Sequence, residues 1–274
     1  MKNYDTLKIL EWNINQRSSG KKIPAYVATE ILAKKPDVIV LVEFKGYNNA
    51  RWLTSQLSNY FTQYYDSVPD SSGYNTGQGI FVGLISSKFK KPTKYDVSYA
   101  TAQIQPNWLK IHSTLKDNQK LDIIGVRIQV DDSSLSGLRG RKEEIKWLLE
   151  QNKDCERQFI VGDWNFGPHR TDYVPEYKIN WQDIIYLIRD LGYLKTDYSP
   201  YSPNGTSFKN FRLDWLVTKG VSVNTSSEYN KLDWGFAQNN SKNYINGYMI
   251  PEGYFVADTP PYPDHAIFTA EINL

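Results

Sequence analysis

The hydrophobic pattern near the amino terminus predicts a strand, a helix and a second strand in succession. Residues 7–12 (LKILEW) alternate between apolar and polar side chains, which indicates a half-buried strand. Residues 24–34 predict a helix with a proline in its first turn, where helices accept one. The run VIVLVEF at 38–44 is apolar almost throughout, and this pattern is typical of a strand buried on both faces.

Short apolar strands and helices alternate along the rest of the chain. Helices are predicted over 135–151, where charges separate apolar residues, and over 181–191. Further strands are predicted at 61–66, 79–86, 108–115, 121–126, 159–162, 212–218 and 266–272. The aromatic, Asn-rich segment 229–263 is predicted to be loop-like. Because helices recur between more numerous strands, we expect sheets packed on each other with helices outside.

The length of 274 residues allows two domains, but no repeat, low-complexity tract or linker divides the chain. We therefore predict a single domain over residues 1–274. A chain of this size buries roughly three quarters of its unfolded surface, so its core needs no disulfide, and the lone Cys155 cannot form one internally. No apolar run approaches the roughly 20 residues that span a bilayer, and the amino terminus lacks an apolar signal core. We expect a cytoplasmic monomer.

The overall charge does not indicate a polyanionic partner, because 32 basic and 30 acidic residues leave a net charge of only +2. Any site for such a partner must be local. Basic clusters occur at 16–22, 88–94 and 139–142. Each is either a solvated face or a contact for a phosphate backbone. The candidates for such contacts are Arg17 and Lys21 in the first cluster and Arg139 and Arg141 in the third.

Polar residues stand beside the apolar strands at five places in the chain. A carboxylate or amide at a strand end is held rigidly and can still face a cleft. Each of these residues, taken singly, is also compatible with an ordinary turn or strand end. Their joint occurrence in one order is less expected by accident. They are Asn13, Glu43, Asp163 with Asn165, Asp214, and Asp264 with His265.

These side chains form a set of hard oxygen ligands with one histidine, and no thiolate cluster or histidine pair suited to zinc accompanies them. This composition suits Mg²⁺, with Mn²⁺ as a substitute. Proteins typically hold Mg²⁺ through one or two carboxylates, while water and substrate phosphate complete the coordination. The expected chemistry is attack of an activated water on phosphorus, with amides and cations stabilising the charge on the phosphoryl oxygens.

The ordered motifs WN, VxLVE, GDWN, RLDW and PDH resemble those of the endonuclease/exonuclease/phosphatase superfamily. This superfamily includes pancreatic deoxyribonuclease, apurinic/apyrimidinic endonucleases, bacterial sphingomyelinases and inositol polyphosphate 5-phosphatases. The resemblance runs from Leu7 to the carboxyl terminus, and GDWN followed by DH is its most specific part. It implies an α+β fold, the deoxyribonuclease I-like four-layer α/β/β/α sandwich.

The resemblance also implies a role for each matching residue. Glu43 corresponds to the principal metal ligand, and Asn13 lies close to the metal and the phosphate. Asp264 contributes to the metal site or to its surroundings.

The catalytic roles implied by the resemblance fall on four further residues. Asp163 aligns or deprotonates the attacking water, and Asn165 holds a phosphate oxygen. Asp214 orients His265, whose imidazolium stabilises the phosphoryl oxygens or acts as an acid or base. A carboxylate bonded to His265 should raise the pKa of its imidazole.

One residue departs from the pattern of the superfamily. Relatives commonly have His or Tyr at the end of the strand before the long helix, but this chain has Arg127 in LDIIGVRIQV. Arg127 either binds phosphate through its planar guanidinium or pairs with an acid as an ordinary strand charge. A general-acid role is not expected there, because arginine keeps its proton. Asn15, where some relatives have a charged residue, weakens the case for a second metal.

The sequence indicates the residues that contact substrate less clearly than it indicates the central site residues. The loop after GDWN adds His169 and Arg170 as candidate substrate-binding residues. The aromatic segment 229–263 is compatible with packing onto the sandwich, with stacking of unpaired bases, and with contact to a lipid interface.

The favoured function is that of a Mg²⁺-dependent phosphodiesterase, a nuclease whose substrate is DNA. One alternative keeps the fold and metal but acts on a phosphomonoester, a phosphoinositide or a phospholipid headgroup. The other is a binding protein that retains the fold without catalysis.

Overall fold

Two β-sheets packed face to face form the centre of the protein, with helices on both outer surfaces. The computed structural model describes residues 5–15, 23–61, 63–67, 79–91, 94–98, 107–129, 135–168, 180–193, 205–207, 211–236 and 263–274. The strands in chain order are β1 Thr6–Asn13, β2 Val38–Phe44, β3 Gln63–Asp66, β4 Gly79–Leu84, β5 Lys94–Ser98, β6 Asn107–Thr114, β7 Lys120–Arg127, β8 Gln158–Asp163, β9 Asp214–Lys219, β10 Ser222–Val223, β11 Lys231–Asp233 and β12 Ile267–Asn273. The helices are α1 Ala25–Lys34, α2 Tyr47–Leu57, α3 Leu135–Asn152 and α4 Trp181–Asp190.

Each sheet contains one parallel pair among antiparallel neighbours. The first sheet has the order β10-β12-β1-β2-β4-β3, with β11 paired to β12, and β1 is parallel to β2. The second sheet has the order β5-β6-β7-β8-β9, and β7 is parallel to β8. Because the carboxyl ends of parallel neighbours lie at the same sheet edge, each pair directs two loops to one edge.

Three apolar layers connect the four structural layers. Leu10 and Ile39 of the first sheet pack against α1 and α2. Ile9 and Val40, which alternate with them, face the second sheet. A third cluster joins the opposite face of the second sheet to α3 and α4. The predicted α+β class and four-layer α/β/β/α sandwich are confirmed.

The predicted strands and helices are found close to their expected bounds, and four elements were not predicted. One of them is the two-residue β10, which forms by pairing with β12. In α2 the buried Leu53 and Leu57 have helical spacing, but the Asn-rich start of the helix obscures the pattern. The polar β5 is the edge strand of its sheet. The loop prediction for 229–263 is wrong at β11, whose short polar sequence becomes a strand by pairing with β12. Among the described residues no helix has the length and apolar character needed to cross a membrane.

Gly125 lets the two sheets approach closely. A Cβ atom added there would lie 2.7 Å from Cγ2 of Ile80 and 2.8 Å from Cγ1 of Val40, both in the first sheet. We expect Gly125→Ala to lower the free energy of unfolding by about 1–3 kcal/mol, because overpacking forces the sheets apart. Urea unfolding measures this, with the exposed Ser55→Ala on α2 as control. Equal stability of Gly125→Ala and the parent would contradict this account of the sheet contact.

Candidate active site

The predicted site residues meet at the edge where the carboxyl ends of β1, β2, β7 and β8 converge. In the second sheet Arg127 is in register with Asp163, and Asp163 is in register with Asp214. Paired residues on neighbouring strands project from the same face, so these three side chains form one row. The row continues the face on which Val161 and Leu216 contact the first sheet. The site therefore lies between the sheets.

A β-bulge turns Glu43 toward this row. Val42 pairs with Ile80 and Phe44 with Gly79, so Glu43 is an extra residue in β2. Its φ of 53° is in the left-handed region. Strict alternation would place Glu43 on the helix-covered face with Leu41, but the bulge redirects its side chain. Regular alternation resumes with Phe44, which packs on that outer face.

Glu43 and Arg127 form a buried ion pair across the two sheets. Nε of Arg127 donates to Oε1 of Glu43 at 2.8 Å, and Nη2 lies 2.7 Å from the same oxygen. The side chain of Arg127 is 2% exposed and that of Glu43 is 9% exposed, so water screens the pair little. Since both contacts use Oε1, this pair does not use Oε2.

Asp163 accepts hydrogen bonds from both sheets. Nδ2 of Asn13 donates to Oδ2 of Asp163 at 3.0 Å, while the side-chain oxygen of Asn13 accepts from the backbone of Asn15. Asn165 donates to Oδ1 through its backbone N–H at 2.9 Å and to Oδ2 through Nδ2 at 3.0 Å. Three N–H groups therefore fix the plane of the Asp163 carboxylate.

The loop after β8 depends on an unusual local backbone. Asn165 has a φ of 49°, a conformation that asparagine tolerates better than most residues. Gly162 has a φ of 150°, and a Cβ there would lie 2.0 Å from the carbonyl oxygen of Val126. Nδ2 of Asn165 also donates to the carbonyl of Ile128 at 2.7 Å, and Arg141 donates to the carbonyl of Asn165 at 3.1 Å. The glycine and asparagine of GDWN thus hold the turn that presents Asp163.

His265 and Asp214 form a second buried pair. Nδ1 of His265 lies 2.8 Å from Oδ2 of Asp214. Nε1 of Trp12 donates to the carbonyl of His265 at 3.0 Å, which anchors the histidine to β1. Thr206 connects the two segments, because its hydroxyl accepts from the backbone of Asp214 and its carbonyl accepts from that of Ala266.

The charges in the site shift its acid–base behaviour. Burial raises the pKa of Asp163 to about 7; the negative charge of Asp214 adds to this rise, while His265 opposes it. Burial would lower the pKa of His265, but the charge of Asp214 and its hydrogen bond outweigh burial and raise that pKa well above its usual range. The expected rise for His265 is confirmed, and the imidazolium is favoured near neutral pH.

Acidic side chains outnumber basic ones in this cleft. Burial raises the pKa of Asp264 to about 6, with Glu43 contributing and His265 opposing. Among the described residues, no three His, Cys, Asp or Glu side chains are arranged to hold an ion unaided. Glu43 and Asp264 nevertheless fit Mg²⁺, because this ion takes one or two carboxylates and fills its shell with water and phosphate. The acidic side chains are Glu11, Glu43, Asp163, Asp214 and Asp264, and the basic ones are Arg127 and His265.

The structure brings together Asn13, Glu43, Arg127, Asp163, Asn165, Asp214 and His265. Asp264 directly precedes His265, and the charges of His265, Glu43 and Asp214 act on its carboxyl group. Arg139 is an exposed residue of α3. Arg17, Lys21, His169 and Arg170 lie outside the described residues. In the aromatic segment, Trp234 and Phe236 are buried in the core beneath α1, which favours packing for these two, and 237–262 lie outside the described residues.

Several residues that support the site belong to none of the sequence motifs. Glu11 is a fully buried member of β1. Arg141, which the sequence suggested as a phosphate contact, is buried and donates to the carbonyl of Asn165, and Glu144 accepts from the backbone of Gln129 at 2.9 Å. The spacing of Arg141 and Glu144 on α3 is a weak signal, because charged pairs are common on exposed helices. Thr206 gives no signal in the sequence.

The four-layer sandwich, with acidic and amide side chains gathered at one edge of both sheets, defines the deoxyribonuclease I-like class. The sequence matches the family described as "Endonuclease/Exonuclease/phosphatase family" over residues 10–237. The chain belongs to this family, whose members are generally phosphoesterase hydrolases, and the resemblance seen in its motifs is confirmed. A search of curated proteins returned no match.

Solved structures share the fold at low sequence identity. A humanized form of D. rerio TDP2 is 15% identical, with a TM-score of 0.56 and coverage of 98% of this chain and 100% of that one. An endonuclease/exonuclease/phosphatase from Beutenbergia cavernae is 14% identical, with a TM-score of 0.65 and coverage of 98% and 72%. D. rerio TDP2 complexed with single-strand DNA product is 14% identical, with a TM-score of 0.55 and coverage of 98% and 99%.

The raised pKa of Asp163 predicts a pH dependence of stability in metal-free protein. An unfolded carboxyl titrates near 3.8, whereas folded Asp163 titrates at about 7, so the folded state binds more protons between these values. Stability should therefore fall as pH rises from about 4 to 7 and level off above that range. In Asp163→Asn this fall should shrink by on the order of 1 kcal/mol or more.

Urea unfolding at several pH values in EDTA measures this dependence. Comparing slopes with pH removes the constant cost of the altered hydrogen bonds at residue 163. The exposed Asp190→Asn serves as the matched control. A fall of the same size in Asp163→Asn and the parent would show that Asp163 is not responsible.

Proposed function

We propose that the protein is a Mg²⁺-dependent phosphodiesterase that cleaves nucleic acid, with DNA as its preferred substrate. The observation that carries this proposal is the Asp163 carboxylate, fixed by three N–H donors in one row with Arg127 and Asp214. A fixed carboxylate beside a cationic histidine suits orientation of water for attack on phosphorus.

Glu43 and Asp264 would hold the metal, with Asn13 close by. Oε2 of Glu43 remains for this purpose, because Arg127 uses Oε1. When bound, Mg²⁺ supplies positive charge to the phosphate oxygens and the leaving group, and Mn²⁺ is expected to substitute. The ion would also reduce the repulsion among the buried carboxylates of this cleft.

Asp163 orients the attacking water and accepts its proton. A pKa of about 7 suits a general base near neutral pH. Asn165 acts on this step through Asp163, because its two amide hydrogens are engaged by Asp163 and the carbonyl of Ile128. A direct bond from the Asn165 amide to phosphate would require one of these bonds to be exchanged.

His265 and Arg127 supply positive charge to the phosphate. Asp214 engages Nδ1 of His265, so the imidazolium presents Nε2 to a phosphoryl oxygen. Arg127 keeps its charge at every working pH, and its Nη1 is not used by the contacts to Glu43. It therefore contributes electrostatically and by position, and transfers no proton.

A nucleic-acid substrate is favoured by the likeness to D. rerio TDP2, which was solved with single-strand DNA product. Arg139 on the exposed face of α3 is the described candidate for a flanking phosphate. His169 and Arg170, which follow the GDWN turn in sequence, are proposed as further substrate contacts. We expect the enzyme to act as a monomer in the cytoplasm.

The test is cleavage of supercoiled plasmid, single-stranded DNA and RNA by EDTA-stripped protein, with and without Mg²⁺ or Mn²⁺. We expect metal-dependent cleavage of DNA, and a loss of about 10²–10⁴-fold in kcat for Asp163→Asn and His265→Ala. Asp190→Asn, purified in parallel, controls for contaminating nuclease. Unchanged cleavage in both site variants would overturn the residue assignments.

Other phosphoesters distinguish the alternative substrates. A panel of phosphomonoesters, phosphoinositides and phospholipids is tested in the same buffers. Turnover of one of these, with no cleavage of nucleic acid, would replace the proposed substrate and retain the site. Absence of both turnover and Mg²⁺ or Mn²⁺ binding by calorimetry would favour a non-catalytic protein.

A further inference from the structure

Glu11 is a buried acid that the proposed chemistry leaves unused. It is a residue of β1 with 0% exposure. Neither of its carboxyl oxygens has a hydrogen-bond partner within the described part of the chain. A buried polar group without a partner costs free energy, so such a side chain calls for a physical explanation.

The strand geometry places Glu11 directly beneath the site. Ile9, Glu11 and Asn13 alternate on the face of β1 that looks toward the second sheet, where Ile9 packs in the apolar layer between the sheets. Asn13 reaches Asp163 at the mouth of the cleft. Along β1, Glu11 therefore lies between Ile9 in the apolar layer and Asn13 in the site. The charged groups that act on it are Asp214, His265 and Asp163.

Asp214 offers the matching acceptor. Its Oδ2 contacts Nδ1 of His265 at 2.8 Å. Its Oδ1 is buried and has no hydrogen-bond partner among the described residues. One hydrogen bond between Glu11 and this oxygen would satisfy polar atoms on both side chains. Asp214 is also the first of the charged groups that act on Glu11.

We infer that Glu11 is a positioning residue whose carboxyl group donates a hydrogen bond to Oδ1 of Asp214 and so keeps Oδ2 on the imidazole of His265. The consequence for turnover rests on the proposed function, whereas the contact itself does not. A second hydrogen bond fixes the plane of the Asp214 carboxylate, which otherwise rotates about its χ2 torsion. Partners that orient a functional carboxylate in this way commonly change activity about 10–100-fold when removed.

Orientation of the Asp214 carboxylate requires a hydrogen-bond donor at residue 11. Glu11→Gln retains a donor whose presence does not depend on pH, and Glu11→Met has similar volume without one. We expect Gln to keep kcat within about threefold of the parent, and Met to lower kcat about 10–100-fold with little change in KM. Ile9→Val, on the same strand face, controls for general loosening of the packing.

Stability measurements separate positioning from a structural role. Glu11→Met avoids the cost of burying a carboxyl group but leaves Oδ1 of Asp214 without its donor. Because these two effects oppose each other, its unfolding temperature should stay close to that of the parent. Lower activity with undiminished stability supports positioning. Activity that falls only in proportion to lost folded protein would overturn it. Glu11→Leu provides a second donor-free variant should Met fail to fold.

A spectroscopic measurement tests the contact without any substrate. In metal-free protein, the proton on Nδ1 of His265 should give a low-field ¹H NMR resonance, assigned by its loss in His265→Gln. We expect this resonance in the parent and in Glu11→Gln, and its shift or broadening in Glu11→Met. An unaltered resonance in Met would overturn the inference. If the parent cleaves no phosphoester, the proposed function fails, and this resonance still decides whether Glu11 positions the pair.

Discussion

Packing between the two sheets is the constraint on which the site depends, because neither sheet carries the site by itself. The first sheet supplies Asn13 and Glu43, and the second supplies Arg127 and Asp163. Two contacts cross the interface, the Glu43–Arg127 ion pair and the hydrogen bond from Asn13 to Asp163. The apolar layer below holds the sheets close enough for these side chains to make both contacts. A displacement of one sheet by a fraction of a hydrogen-bond length would separate them.

The same packing makes the site electrostatically costly. Burial raises the pKa of Asp163 to about 7 and that of Asp264 to about 6, which means that the folded protein opposes their ionisation. Arg127 and His265 offset part of this cost. Arg127 places a cation against Oε1 of Glu43, and this contact orients the Glu43 carboxylate before any ligand arrives. The cleft therefore combines repulsion among buried carboxylates with side chains that are already held in place, as is common at functional sites.

Most secondary structure could be predicted from the sequence, because long apolar runs and helical spacing act locally. The exceptions are elements that depend on neighbours. The polar β5 and the three-residue β11 become strands because β6 and β12 offer them free edges. The helix α2 places Leu53 and Leu57 in a core that its own sequence only weakly indicates. Trp234 and Phe236 similarly pack against α1. The composition of segment 229–263 alone was compatible with packing, base stacking or lipid contact.

For the candidate site, the sequence by itself determined which chemical groups are present and which strands carry them, since the motifs around Asp163 and His265 combine apolar strands with polar ends. Tertiary structure decided how these groups are used. The bulge at Glu43 reverses the face predicted by alternation, and the cross-sheet pair assigns Arg127 a partner distant in the chain. Glu11 resembles an ordinary polar strand residue until the second sheet covers it. Pairing and burial join residues far apart in sequence, so local patterns do not encode them.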